Sequence, residues 1–201
     1  MSLNLGKVKW AVTASLALII IVTGTYQLGL IARIYNLIRP AFLNGGGEQC
    51  LEQLTKLNVQ FRPLVTIEDD KCRIENPVRI SRFQETTLSS PILLSCQTAL
   101  DLAVLFKEAE AHHVVHLGTY NCRSMRRSTF VSEHGFGTAI DIAKINQASI
   151  SQDWGQNTAK GIFLNRFSRS ACTSFNNVLT PDSDSNHYDH LHLDQGPGLG
   201  C

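Results

Sequence analysis

The sequence predicts an α+β domain, a small and mainly antiparallel sheet with flanking helices, preceded by one N-terminal transmembrane helix. Three observations carry this. Apolar residues recur at helical spacing around Leu102 and around Phe167. Short alternating segments are interspersed with these stretches, the mixed pattern of α+β folds. Trp10 to Ala32 holds no charged side chain and is long enough to cross a bilayer as a helix.

The apolar run has Lys7 and Lys9 before it and Arg33 after it. A cleaved signal peptide has a shorter apolar region and a small-x-small cleavage site, which Thr23-Gly24-Thr25 matches poorly. The expectation is therefore an uncleaved anchor over 10–32, with residues 1–9 as a cytoplasmic tail. Residues 33–48, with Pro40 and Gly45-Gly46-Gly47, read as a linker, and the domain is expected over 49–201.

Within the domain, Cys50, Leu51, Leu54 and Leu57 predict a short amphipathic helix. Val59 and Phe61 alternate like a strand. Ile74, Val78 and Ile80 form a second β-like segment, interrupted by Pro77. Ser95 is placed to cap a helix carrying Ala99, Leu102, Ala103 and Phe106 on one stripe and running to about His112. Val114–Tyr120 and Ala139–Ala143 read as strands. Phe163, Phe167, Ala171, Phe175 and Val178 repeat at helical spacing, and Leu191–Asp194 is a last short strand.

The chain has 201 residues, a net charge of +1 and 17% charged residues, which gives no global attraction to nucleic acid. Lys7 and Lys9 favour a cytoplasmic N-terminus, and Arg33 and Arg39 partly cancel them. The six cysteines decide the orientation. Cys50, Cys72, Cys96, Cys122, Cys172 and Cys201 all follow the apolar run, contain no C-x-x-C pair, and place the domain in an oxidising compartment. Sequential pairing (Cys50–Cys72, Cys96–Cys122, Cys172–Cys201) closes the shortest loops and is the expected connectivity.

The chemistry concentrates in two segments, Ser132–Asp141 and His190-Leu191-His192. Residues at i and i+2 of a strand share a face, so His190 and His192 face one way and Leu191 the other. His187 has the opposite parity and falls in the preceding loop. Asp141 shares its face with Ala139 and Ala143, small neighbours that leave room for an ion, while Ile140 and Ile142 face the core. Gly135 and Gly137 allow the chain to bend closely between His134 and Asp141. Imidazole nitrogen and carboxylate oxygen suit zinc, and a catalytic zinc keeps three protein ligands and an open position. His134, Asp141 and His192 are the expected ligands of one zinc ion. His190 then stands beside the metal as general acid or base. Glu133, Asp189 and Asp194 are candidates to accept the second N–H of these histidines. Arg123, pinned by a disulfide at Cys122, could bind a substrate carboxylate or steady an oxyanion. Arg126 and Arg127 read as exposed, and Trp154 and Tyr188 as rim or core. His112, His113 and His116 read as structural.

Taken together these pieces resemble the bacterial extensin-like C-terminal domain family. The resemblance rests on Cys50-Leu51, Cys72-Arg73-Ile74 with Pro77-Val78, Leu94-Ser95-Cys96 and Tyr120-Asn121-Cys122-Arg123. It continues through Ser132–Ile142, Ala171-Cys172 with Phe175, and His187–Asp194. The histidine and aspartate pattern is also similar to the lysostaphin, D-alanyl-D-alanine carboxypeptidase and Hedgehog group of zinc folds. That likeness implies a fold of the Hedgehog and D-Ala-D-Ala peptidase type, zinc on His134, Asp141 and His192, catalytic assistance from His190, substrate contact by Arg123, and cell-wall peptides or peptidoglycan as substrate. The family further implies a single-pass inner-membrane protein with its domain in the periplasm. The last motif has the H-x-H form and not Glu-x-x-His, so a mechanism with a glutamate base does not transfer. The leading expectation is an envelope-facing zinc peptidase. A non-catalytic zinc-stabilised binding or structural module, and a metal-free disulfide-braced envelope protein, are the other two readings.

Overall fold

The computed structural model describes residues 30, 31, 34, 47–198 and 201. The expected anchor over 10–32 lies outside these apart from Leu30 and Ile31, and no described helix is long and apolar enough to cross a membrane.

The fold is a mixed α+β arrangement built on one sheet. In chain order it runs α1 (Gly47–Lys56), β1 (Val59–Pro63), β2 (Ile67–Asp69), β3 (Cys72–Ile74), β4 (Pro77–Phe83), β5 (Thr86–Ser95) and α2 (Cys96–Glu108). It continues through β6 (His113–Gly118), a 3-10 turn (Glu133–Phe136), β7 (Ala139–Ile145), β8 (Ala148–Ser149), α3 (Ile150–Asp153), α4 (Ala159–Ala171), β9 (Asn177–Leu179) and β10 (Leu191–Asp194). The sheet order is β1-β4-β5-β6-β7-β10-β9, with β8 on β7, and β2–β3 form a separate hairpin. Every pairing is antiparallel except β5 with β6, which α2 connects.

With eight strands the sheet is larger than expected. Its ten-residue strand β5 reads poorly from sequence because Ser89, Ser90 and Pro91 break the apolar alternation. Pro77 opens β4 rather than interrupting a longer strand, where its missing N–H costs least. Gly47 and Glu48, expected in the linker, form the first turn of α1.

Ser95 caps α2, its side chain accepting from the Thr98 amide at 3.3 Å. The helix ends at Glu108, earlier than the expected His112, because Glu110 enters the left-handed region at φ 52° and the chain turns into β6. The apolar repeat after Phe163 stays helical only to Ala171. Phe175 and Val178 keep their buried places, but from the following turn and from β9.

One core fills the space between the sheet and the helices. Leu54 of α1, Phe106 of α2 and Phe167 of α4 share it with Ile80, Ile142 and Leu193. Phe106 stands edge-on to Phe83, with ring centroids 5.3 Å apart. Alternation in β7 and β10 sends Ile140, Ile142, Leu191 and Leu193 into this core and Asp141 and His192 to the opposite face.

The disulfides are Cys50–Cys96, Cys72–Cys122 and Cys172–Cys201. Sequential pairing is wrong for the first four cysteines. α1 packs on α2 and brings Cys50 to Cys96, and the β2–β3 hairpin packs under the 3-10 turn and brings Cys72 to Cys122. Loop-closure entropy grows only logarithmically with length, so short loops had little claim once helix and hairpin packing opposed them.

Candidate metal centre

His134 sits in the 3-10 turn and is 3% exposed. Gly137 closes that turn at φ 67°, its amide reaching the carbonyls of Glu133 and His134. Gly135 has no space for a side chain, since a Cβ there would lie 2.6 Å from Val131 Cγ1 and 2.8 Å from Cys72 Sγ. The Cys72–Cys122 disulfide, Val131 and Phe136 thus form the floor under His134.

Asp141 and His192 face each other across the β7–β10 pair. His192 Nδ1 lies 2.7 Å from Asp141 Oδ1, and His134 Nε2 lies 3.3 Å from Asp141 Oδ2. One ligand atom from each of the three residues falls within 4.8 Å of the others. The far nitrogen of each ring is also held. His134 Nδ1 donates to the Thr119 carbonyl, and His192 Nε2 meets Asp194 Oδ2 at 2.8 Å.

A proton count shows what this arrangement needs. Four ring nitrogens face four oxygens that only accept, yet two neutral imidazoles carry only one N–H each. The Thr119 and Asp194 contacts use those two protons. The two contacts to Asp141 are completed either by two further protons or by a divalent cation. Without a cation, burial disfavours the His192 imidazolium, but hydrogen bonds and charges from Asp141 and Asp194 outweigh burial and raise its pKa to about 9. Burial likewise pushes the Asp141 carboxyl up, and the contacts with His134 and His192 overcome it and hold the acid far below the usual carboxylate range. Asp194 is held low by His192, Asn177 and the Gly196 amide against the opposing effect of burial.

The donor set is one that zinc accepts. Tetrahedral ligands at 2.0–2.2 Å stand about 3.4 Å apart, close to the His134–Asp141 separation of 3.3 Å but wider than the 2.7 Å hydrogen-bond contact of His192 with Asp141, so an ion would have to spread that pair. An imidazole whose second nitrogen is fixed by a carbonyl or carboxylate is the usual zinc-ligand arrangement.

His190 lies just before β10. Its Nδ1 meets Asp189 Oδ1 at 2.8 Å and its Nε2 is 3.7 Å from Asp141 Oδ1. Of the three candidate outer carboxylates, Asp189 and Asp194 contact imidazoles in this way, while buried Glu133 accepts from Thr138 Oγ1 at 2.6 Å. The partner of His134 is a backbone carbonyl, which no side-chain pattern reveals. Arg123 is exposed, and its carbonyl accepts from the Ser132 amide, tying its segment to the start of the His134 turn. Arg126 and Arg127 are exposed, as expected, and Arg126 donates to Asn186 Oδ1 at 2.7 Å. Trp154 donates to Asp182, and Tyr188 is 66% exposed.

His187, to which the sequence assigned no part in the site, also lies beside it. Its ring centroid lies 5.1 Å from that of His190 and 5.7 Å from that of His192. Burial lowers its pKa, and the neighbouring histidines act in the same direction against Asp184. It lies in the loop before β10, as expected, but that loop folds back so that the ring reaches the site, where strand parity carries no information.

No curated protein and no solved structure matches the chain. Residues 48–201 match the family model described as extensin-like protein C-terminus, and the chain belongs to that family.

Proposed function

We propose that the protein is a zinc-dependent peptidase of the cell envelope acting on peptidoglycan peptides. The observation that carries this reading is the proton count at Asp141, where two imidazole nitrogens converge on one carboxylate and a single divalent cation satisfies all three groups. His134, Asp141 and His192 would hold the ion. The chemistry supplied there is that of a Lewis acid, polarising a peptide carbonyl and acidifying a water. His190, oriented by Asp189, takes the proton of the attacking water and returns it to the leaving amine. Arg123 meets a carboxylate of the substrate or its developing oxyanion. The three disulfides support an oxidising compartment, and the apolar run before the domain supports a membrane tether with the domain in the periplasm.

The same cluster ties β7, β10 and the 3-10 turn together, which favours a second reading, a non-catalytic module that uses zinc for stability. The test is digestion of peptidoglycan by the full chain supplied with zinc. His134→Ala and Asp141→Ala should lose both metal and hydrolysis. His190→Ala should keep the metal and lose about 10²–10⁴ in rate. Undiminished hydrolysis in the ligand variants refutes the metal centre. Zinc binding with no hydrolysis of any muropeptide selects the non-catalytic module.

A further inference from the structure

We propose that His187 is a substrate-contacting residue whose Nε2 accepts a hydrogen bond from an amide N–H of the bound peptide, an inference that rests on the peptidase reading above. His187 is the one well-covered side chain among exposed neighbours. Its side chain is 16% exposed, whereas Asn186 and Tyr188 on either side of it are exposed. It spends that burial against the site, packing its ring on His190 and His192. It is not one of the three groups that converge on the candidate metal position. A ring this close to the centre, with no role in the ligand set, is available to whatever enters beside the ion.

The loop holds the ring firmly. His187 Nδ1 meets Asp184 Oδ1 at 3.0 Å, and the His187 amide donates to the Asp184 carbonyl. Asp184 is itself fixed by the Asn186 amide at 2.6 Å. The loop is further tied down by hydrogen bonds from Arg126 to Asn186 and from Trp154 to Asp182. A carboxylate only accepts, so the Asp184 contact places a proton on Nδ1, and in the neutral ring Nε2 is then an acceptor. Among the described residues nothing hydrogen-bonds that nitrogen. The complementary ligand group is a donor, and a peptide backbone presents one at every non-proline residue.

The two amide side chains separate the roles of the two ring nitrogens. Asn at position 187 can keep the donor facing Asp184 and lacks a group at the Nε2 position. Gln reaches the Nε2 position with an acceptor oxygen. The experiment is calorimetric titration of the zinc-loaded full chain carrying His190→Ala with a peptidoglycan stem pentapeptide, repeated with His187→Asn and His187→Gln added. Zinc affinity is measured separately by chelator competition. His187→Asn should weaken peptide binding about tenfold, equivalent to about 1.4 kcal/mol, His187→Gln should restore most of it, and zinc affinity should stay within twofold. Peptide affinity unchanged in His187→Asn overturns the proposal. So does a tenfold fall in zinc affinity, which would make His187 a ligand, and so does absence of peptide binding by the parent chain. Peptide binding that follows this pattern in a protein whose native sequence cleaves nothing upholds His187 and refutes the peptidase reading alone.

Discussion

Zinc uptake by this centre should be coupled to proton release, with a size that the geometry sets. In the metal-free protein His192 lies between Asp141 and Asp194, and its pKa stands at about 9. Zinc cannot take Nδ1 until that nitrogen gives up its proton, while Nε2 keeps its own on Asp194. At pH 7 the pKa lies about two units above the medium, so about one molecule in a hundred has His192 neutral. The His192 proton alone should therefore lower apparent zinc affinity at pH 7 about hundredfold, or about 2.7 kcal/mol, relative to its high-pH limit. Between pH 6.5 and 8.5 the affinity should climb at least about tenfold per pH unit. Calorimetry in buffers of different ionisation enthalpy should report at least about one proton released per ion at pH 7. Asp194→Asn removes one of the charges that raise the His192 pKa, and it should flatten the slope. A flat affinity profile with no proton release would refute the assignment of His192 Nδ1 as a ligand.

The same coupling acts on folding. A raised His192 pKa stabilises the metal-free protein fully below about pH 6.5, and this contribution fades as pH rises through about 9. Thermal unfolding of the metal-free chain should therefore shift to lower temperature across that window, and a Tm that rises there contradicts the proposed ion pairing. Gly135→Ala forces a methyl against Val131 and the Cys72 sulfur, neither of which can retreat freely, and should cost about 1–3 kcal/mol in urea unfolding together with zinc affinity. A neutral effect would mean the turn relaxes more easily than its packing indicates. Replacing Cys72 and Cys122 together by serine opens a crosslink with a sequence separation of 50 and should cost about 4 kcal/mol in the same assay. Zinc affinity should fall with it, because the floor of the His134 turn is lost, and retention of full affinity would show that the turn stands without it.

Much of the site was legible because strand alternation is local. Parity alone separates Asp141 from Ile140 and Ile142, and His192 from Leu191 and Leu193, and the structure places these side chains on the corresponding faces. Ser95 was readable as a cap for a similar reason, since its side chain reaches only three residues along. What could not be read depends on contacts distant in sequence. Cys50 meets Cys96 because two helices pack, and Phe175 and Val178 are buried although the helix that predicts them has ended. The partner of His134 is the Thr119 carbonyl, and His187 reaches the centre through a loop stitched to Arg126 and Trp154. None of these leaves a periodic trace.

The facing register of β7 and β10 also limits how the chain can change in length. His192 opposes Asp141, and Leu191 opposes Ile142, in strands of seven and four residues. Inserting or deleting one residue inside either strand would exchange the two faces, driving the imidazole or the carboxylate into the oily interior and a leucine or isoleucine out to water. Drift in length has to be absorbed in the connecting loops, so the spacing from His134 to Asp141 and the H-x-H triplet are as intolerant of an indel as their residues are of replacement.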